Sequence, residues 1–265
     1  MTGGSEPAPH LSGRTGGPLQ RFVTTLAHWL GYVIVPGWRV ASMPLARRLQ
    51  SLFATHGIER VIDVGANDGQ YRQFLRRQVG FTGRIDSFEP IPELAAKLKA
   101  ASSSDPAWTV HDCALGSTSG EMTLNITAMS VFSSFLRPMG EDPSEGGNTI
   151  AKTAQVPVRT LDEVFPDPSA LRHTYLKLDT QGFDLEVAKG GPGVLAAVPA
   201  LQSEVSFRAI YDGMPNYQDS IRTFESFGFR VADFFLISSD SNGAAYEFDC
   251  IMVRAADAEA AGSAA

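Results

Sequence analysis

The sequence predicts an α/β fold: a mostly parallel sheet with helices on both faces, finished by an antiparallel C-terminal hairpin. Three observations predict it. From about residue 58 onward, short apolar runs alternate with amphipathic stretches, the pattern of βαβ units. A glycine-punctuated turn, Gly65–Gly69, follows the first of those runs directly. The last two apolar runs, 229–237 and 245–253, are joined by the short polar connection Ser238–Gly243. A loop so short cannot make a parallel crossover, so that pair is antiparallel.

The elements follow in order. Arg60–Val64 is a buried-strand run. Residues 69–79 read as a helix, with Tyr71, Phe74, Leu75 and Val79 near helical spacing. Arg84–Phe88 is a second strand, ended by Glu89-Pro90, and Pro92–Ala101 a second helix with Leu94, Ala95 and Leu98 on one face. Trp108–Asp112 is a third strand. Residues 116–135 carry a turn signal at Ser119-Gly120 and partial alternation over 121–126, which predicts an inserted hairpin and loop. Residues 138–155 are polar and rich in Gly, Pro and Ser, and read as a mobile loop. Thr174–Asp179 is a fourth strand, followed by a helix over 185–189 that stops at Gly190-Gly191-Pro192. Ala200–Phe207 is a fifth strand, and Tyr217–Phe227 a helix ended by Gly228.

The chain of 265 residues is long enough for a sizeable core, and its 43% hydrophobic and 19% charged residues exclude a wholly disordered or fibrous chain. With 22 Lys+Arg against 29 Asp+Glu the net charge is −7, so no large positive field is available for binding a phosphate backbone, and a nucleic-acid partner is not expected. The two cysteines, Cys113 and Cys250, lie in apolar segments outside any CxxC pair, which fits a reducing, cytoplasmic compartment. Residues 1–18 and 255–265 read as disordered tails around an N-terminal apolar helical segment, 19–57, and a main domain, 58–254. Within the segment, residues 22–36 fall short of the roughly twenty residues that a membrane span needs. They read as a core or lid helix, or as a peripheral membrane contact, since Arg21, Arg39, Arg47 and Arg48 flank them.

Ligands of such sheets bind beyond the carboxyl ends of the central strands. The first turn is Asp63-Val-Gly65-Ala-Asn67-Asp68-Gly69, a GxNxG pattern and not the GxGxxG of a pyrophosphate site. Asp63 and Asp68 beside that mouth would repel a pyrophosphate. They suit a ligand carrying an ammonium and a sulfonium, as S-adenosylmethionine does. Gly65 and Gly69 would let the backbone approach that ligand closely. Glu89, twenty residues past Gly69, stands where an acid accepts both ribose hydroxyls, and Asp112 could accept from the adenine amino group. Three acids at three successive strand ends favour this cofactor over the alternative, an NAD-type dinucleotide.

A parallel sheet with an antiparallel C-terminal hairpin is the Rossmann-like layout of class I methyltransferases. The sequence also resembles the FkbM family of S-adenosylmethionine-dependent methyltransferases. The resemblance rests on Val61–Gln70, Phe88-Glu-Pro90, Asp112–Gly116, Val158-Arg-Thr-Leu-Asp162, Leu176-Lys-Leu-Asp-Thr-Gln-Gly182 and Asp249–Val253, and covers about residues 58–254. It implies a cofactor site of Asp63, Gly65, Asn67, Gly69, Glu89 and Asp112, with Ser130, Ser133 and Ser134 on a loop near it. It also implies methylation of a hydroxyl, often on a sugar, glycolipid or secondary metabolite. A second class of reading is a non-catalytic S-adenosylmethionine-binding module.

Methyl transfer to a hydroxyl needs a base or a metal near the acceptor. Asp179 and Glu204 are the candidates: each ends an apolar strand, and adjacent strands lie about 4.8 Å apart. Lys177, two residues before Asp179, shares its face of the strand and can pair with Asp63 or Asp179. The two carboxylates could also hold a divalent metal, but no third ligand is evident in the sequence, and a site without metal is favoured. His111 and His173 are alternative bases.

Overall fold

The structure is a computed structural model that describes residues 29–30, 37–139 and 148–255. The expected N-terminal tail, residues 22–36 apart from Trp29 and Leu30, residues 140–147 of the Gly-rich loop, and residues 256–265 lie outside the described residues. The chain divides into two compact units, Met1–Met43 and Pro44–Ala265. In the first, Gly37–Val40 form a single helical turn. The second unit starts ahead of the expected boundary at residue 58, because helix α1 (Met43–His56) buries Ala46, Leu49, Leu52 and Phe53 at helical spacing.

A seven-stranded sheet has the order β3-β2-β1-β7-β8-β10-β9. Its strands are β1 (Arg60–Val64), β2 (Arg84–Phe88), β3 (Trp108–His111), β7 (Thr174–Leu178), β8 (Ala200–Ser206), β9 (Phe229–Ser239) and β10 (Ala245–Arg254). The pairs β1–β2, β1–β7, β2–β3 and β7–β8 are parallel. Strand β10 is antiparallel to both β8 and β9. The expected architecture is therefore the observed one.

Alternation along each strand feeds two cores. On one face Val61, Ile85, Tyr175, Ala200 and Ile251 pack with Leu49 and Phe53 of α1, with Leu75, and with Leu98 of α3 (Pro92–Ser102). On the other face Ile62, Val64, Leu176, Leu178, Leu201 and Met252 pack under three helices. These helices are α5 (Asp184–Lys189), α6 (Pro192–Ala197) and α7 (Tyr217–Ser226).

Two expectations need correction. The helix expected over 69–79 is α2 (Gln70–Phe74), which widens into a π-turn over Leu75–Val79. The expected hairpin within 116–135 is reduced to one antiparallel bridge, Asn125↔Ser134. Strand β5 (Gly120–Thr127) pairs antiparallel with β6 (Ile150–Arg159), and β4 (Ala114–Leu115) pairs with β6 to make a separate three-stranded sheet. Part of the segment read as a mobile loop is thus a strand. Only Val156 and Val158 of β6 are buried, so its first half is polar enough to resemble a loop.

Candidate active site

Chain reversals gather the site at the carboxyl ends of β1, β2, β7 and β8. The turn after β1 has positive φ at Gly65 (82°), Asn67 (48°) and Gly69 (85°). A Cβ on Gly65 would stand 1.9 Å from the Asp179 carbonyl oxygen, so this glycine admits the neighbouring strand end. A Cβ on Gly69 would meet Leu98 and Trp108, so it too serves packing and the turn.

Asp63 is fully buried, beneath the mouth and not beside it. Its carboxylate accepts from Ser87 Oγ at 3.0 Å and faces Lys177 Nζ at 3.4 Å. Burial pushes its pKa up, and Lys177 pulls it back. The exposed acid of that turn is Asp68.

Glu89 follows β2 directly. Its Oε2 accepts from the Asn67 N–H at 2.7 Å and its Oε1 from the Ile91 N–H at 2.8 Å. Burial pushes its pKa up to about 7 against those two donors. Each oxygen is held by one backbone donor and keeps a lone pair, which is the acceptor set that a vicinal diol requires. The residues therefore fit the ribose of S-adenosylmethionine, which Glu89 would hold. Asp112 follows β3 beside Glu89, whose N–H donates to the His111 carbonyl; the Asp112 side chain is 67% exposed and pairs with Lys99 of α3 at 2.7 Å, which holds its pKa down.

Asp179 and Glu204 do converge. The parallel register ends at Leu178↔Ser203, so the next residues, Asp179 and Glu204, are neighbours. Lys177 Nζ lies 3.1 Å from Asp179 Oδ2. Burial alone would raise Asp179, but the Lys177 ammonium outweighs it and holds the carboxylate below its ordinary range. Glu204 is pushed well up by burial and by the charge of Asp179, with Glu247 adding to it. The pair is therefore polarised: Lys177 favours the ionised form at Asp179, while burial and the charge of Asp179 favour the protonated form at Glu204.

Gln181 joins them. Its Nε2 donates to Asp179 Oδ1 at 3.1 Å and to Glu204 Oε2 at 2.8 Å. Its Oε1 accepts from Tyr211 Oη at 2.9 Å. Neither residue was expected from the sequence. A polar pair ahead of glycine at the end of an apolar strand, Thr180-Gln181-Gly182, was the available signal. The serine loop reaches the same place: Ser130 Oγ donates to Asn67 Oδ1 at 3.0 Å and Ser134 Oγ to the Gln181 carbonyl at 2.7 Å. Ser133 is turned to Thr127, whose N–H it accepts.

The two histidines are placed away from the carboxyl pair. His111 stacks on Phe88 at 4.4 Å, and His173 lies at the opposite strand end, 3.2 Å from the His56 carbonyl. Among the described residues no group of three or more His, Cys, Asp or Glu side chains has metal-ligating geometry, and no helix is long and apolar enough to cross a membrane.

The family model for the methyltransferase FkbM domain matches residues 63–231. No curated protein matches the chain in sequence. Among solved structures the chain is similar to a methyltransferase FkbM from Methylobacillus flagellatus, at 14% identity over 89% of this chain and 71% of that one, with a TM-score of 0.48. It is similar to the S-adenosylmethionine-bound magnesium protoporphyrin IX methyltransferase of Synechocystis, at 11% identity over 92% of this chain and 100% of that one, TM-score 0.45. A 1,6-didemethyltoxoflavin-N1-methyltransferase from Burkholderia thailandensis matches at 9% identity over 92% and 93% of the two chains, TM-score 0.40.

Proposed function

The chain belongs to the FkbM methyltransferase family, and we propose that it is an S-adenosylmethionine-dependent O-methyltransferase. Its acceptor on this reading is a hydroxyl of a sugar, glycolipid or secondary metabolite. The observation that carries the reading is the Asp179–Glu204 pair, two carboxyl groups bridged by Gln181 at adjacent strand ends, with Lys177 3.1 Å from Asp179.

S-adenosylmethionine supplies a methyl group made electrophilic by its sulfonium. The chain's residues do the rest. Glu89 holds the ribose, and the turn from Gly65 to Gly69 fixes its distance from the strand ends. Asp179 would accept the proton of the acceptor hydroxyl as that hydroxyl's oxygen takes the methyl group that the bound cofactor would supply. Lys177 keeps Asp179 ionised until the acceptor arrives. Glu204, whose protonated form is favoured by burial and by the charge of Asp179, can donate to the acceptor and align its oxygen.

The buried, unpaired Cys113 and Cys250 fit a cytoplasmic setting. Residues 22–36, with flanking arginines, fit peripheral contact with a membrane that carries lipid-linked acceptors.

The test is methyl transfer from labelled S-adenosylmethionine into glycan and lipid extracts, with mass spectrometry of the labelled product. A methyl ether that survives mild alkali is expected. Label found on nitrogen or in an alkali-labile ester overturns the hydroxyl assignment.

A further inference from the structure

We propose that Gln181 is a positioning residue of the acceptor site: its side-chain amide binds Asp179 and Glu204 into one unit and ties that unit to Tyr211. The proposal rests on reading the carboxyl pair as the base of the reaction.

The geometry uses every polar atom of the amide. The two N–H groups of Nε2 go to two different carboxyl groups, at 3.1 and 2.8 Å. The carbonyl Oε1 takes the Tyr211 hydroxyl at 2.9 Å, and the same hydroxyl lies 2.9 Å from the Phe132 carbonyl. The Tyr211 hydroxyl has one proton and two carbonyl oxygens within reach, so it is the carboxylate of Asp179, an acceptor only, that decides which end of the amide is nitrogen. A flipped amide would set a carbonyl oxygen against two carboxyl groups.

The backbone is held as firmly. Gln181 has φ of 53° and Gly182 of 88°, so a non-glycine residue occupies the left-handed region in the middle of the turn. The Ser134 hydroxyl fixes its carbonyl. Tyr211 is buried, and the segments around it are paired, Met139 N–H to the Ile210 carbonyl and Asp212 N–H to the Arg137 carbonyl, both at 2.8 Å. Strained backbone fixed by several independent contacts is the mark of a residue whose side chain must stand in one place.

The pair needs such a clamp. Facing it are Lys177 and Asp63 from β7 and β1, Glu247 and Asp249 from β10, Asp184 from α5, and Tyr211. Most of these are acids. Lys177 reaches Asp179, and Gln181 reaches both members. Gln181 thereby keeps two mutually repelling groups at one distance and passes the position of the loop around Tyr211 to them.

The test uses Gln181→Asn and Tyr211→Phe in the full chain. Asparagine tolerates the left-handed backbone but is one methylene too short to bridge both carboxyl groups. Carbon-detected NMR titration of the carboxyl groups, in protein without acceptor, reads the pair directly. The apparent pKa values of the pair should rise by about one to two pH units in Gln181→Asn, the equivalent of one charge-assisted hydrogen bond, and by less in Tyr211→Phe. Turnover should fall by about 10²-fold in Gln181→Asn with cofactor affinity unchanged, the effect of a misplaced catalytic group. If Gln181→Asn does not fold, Tyr211→Phe, which keeps the buried ring, carries the same readout. Unchanged pair titration in the folded variants overturns the proposal. Shifted titration together with methyl label on nitrogen leaves the bridge standing and removes the hydroxyl reading instead.

Discussion

Lys177 stands between Asp63, at 3.4 Å, and Asp179, at 3.1 Å, so that one ammonium serves a fully buried carboxylate and a reactive one. Burial works against its charge, yet the two carboxylates together hold it protonated above the ordinary lysine range. The turn after β1 and the carboxyl pair at the ends of β7 and β8 are thus electrostatically joined.

Replacing that ammonium should therefore cost stability as well as activity. Lys177→Met leaves the fully buried Asp63 without its cation, a loss of about 3–5 kcal/mol in denaturant unfolding at neutral pH. Adding Asp63→Asn should recover a large part of it, because the uncompensated charge is then gone. A double variant as unstable as the sum of the two singles would show that the pair is not coupled.

The two carboxyl groups should separate in their responses. Asp179→Asn removes the proton acceptor and should lower turnover by about 10²–10⁴-fold, with cofactor affinity kept within a few-fold. Burial and the charge of Asp179 favour the protonated form of Glu204, which Glu204→Gln copies, so this variant should cost less than about tenfold. It should also raise stability in the alkaline range. Glu204 has a raised folded pKa, so its contribution is present below its unfolded value and is lost as pH rises through the folded one. A Glu204→Gln loss equal to that of Asp179→Asn would exchange the two roles.

How much of this was legible differs by residue, for physical reasons. Strands β1, β7 and β8 are buried on both faces and read as unbroken apolar runs. Strand β6 is half-exposed and borrows its alternation from β5, so its polar first half looked like a loop. The convergence of Asp179 and Glu204 was legible because strand ends and sheet order follow from apolar runs alone. Asp63 was placed correctly along the chain but at the wrong depth, since strand position does not tell how far the following turn folds over it. Asp112 has the expected place after β3, but α3 presents Lys99 to it, a contact that depends on helix packing. Gln181 acts through a left-handed backbone that no local residue preference announces, glutamine being an ordinary residue there only in name.

Glu89 should make cofactor binding depend on pH. In the free chain its pKa is about 7, and two ribose hydroxyls need the ionised form to accept from them. Binding should therefore release a proton at acidic pH, and the Kd should worsen by up to about tenfold per pH unit below 7. The unliganded fold has the opposite linkage: the raised pKa gives stability below the unfolded value, about 4.3, that is lost as pH rises through about 7. Calorimetry from pH 5.5 to 8.5, all on the order of the range that spans this group, should show the slope in the natural protein and a flat profile in Glu89→Gln. Glu89→Ala should weaken binding by about 10²-fold through the loss of two charge-assisted hydrogen bonds. Unaltered affinity for S-adenosylmethionine in both variants would remove Glu89 from the site.

The last prediction concerns where the N-terminal part can be cut. The compact unit begins at Pro44, and α1 contributes Ala46, Leu49, Leu52 and Phe53 to the core. A chain starting at Pro44 should therefore fold with the thermal midpoint of the full chain and keep its cofactor affinity. A chain starting at Ser51 loses Ala46 and the fully buried Leu49, and should be less stable by about 2–5 kcal/mol or more, the cost of emptying one large core position. If residues 22–36 form a wall of the acceptor site or a membrane contact, the Pro44 chain should lose turnover on lipid-linked acceptors while binding the cofactor normally, and should fail to co-sediment with anionic vesicles that retain the full chain. Arg47 and Arg48 remain in that shorter chain while Arg21 and Arg39 are removed with the apolar run, so a loss of vesicle binding would belong to the removed segment and not to Arg47 or Arg48. Full turnover and full vesicle binding by the Pro44 chain would show that residues 22–36 have neither role.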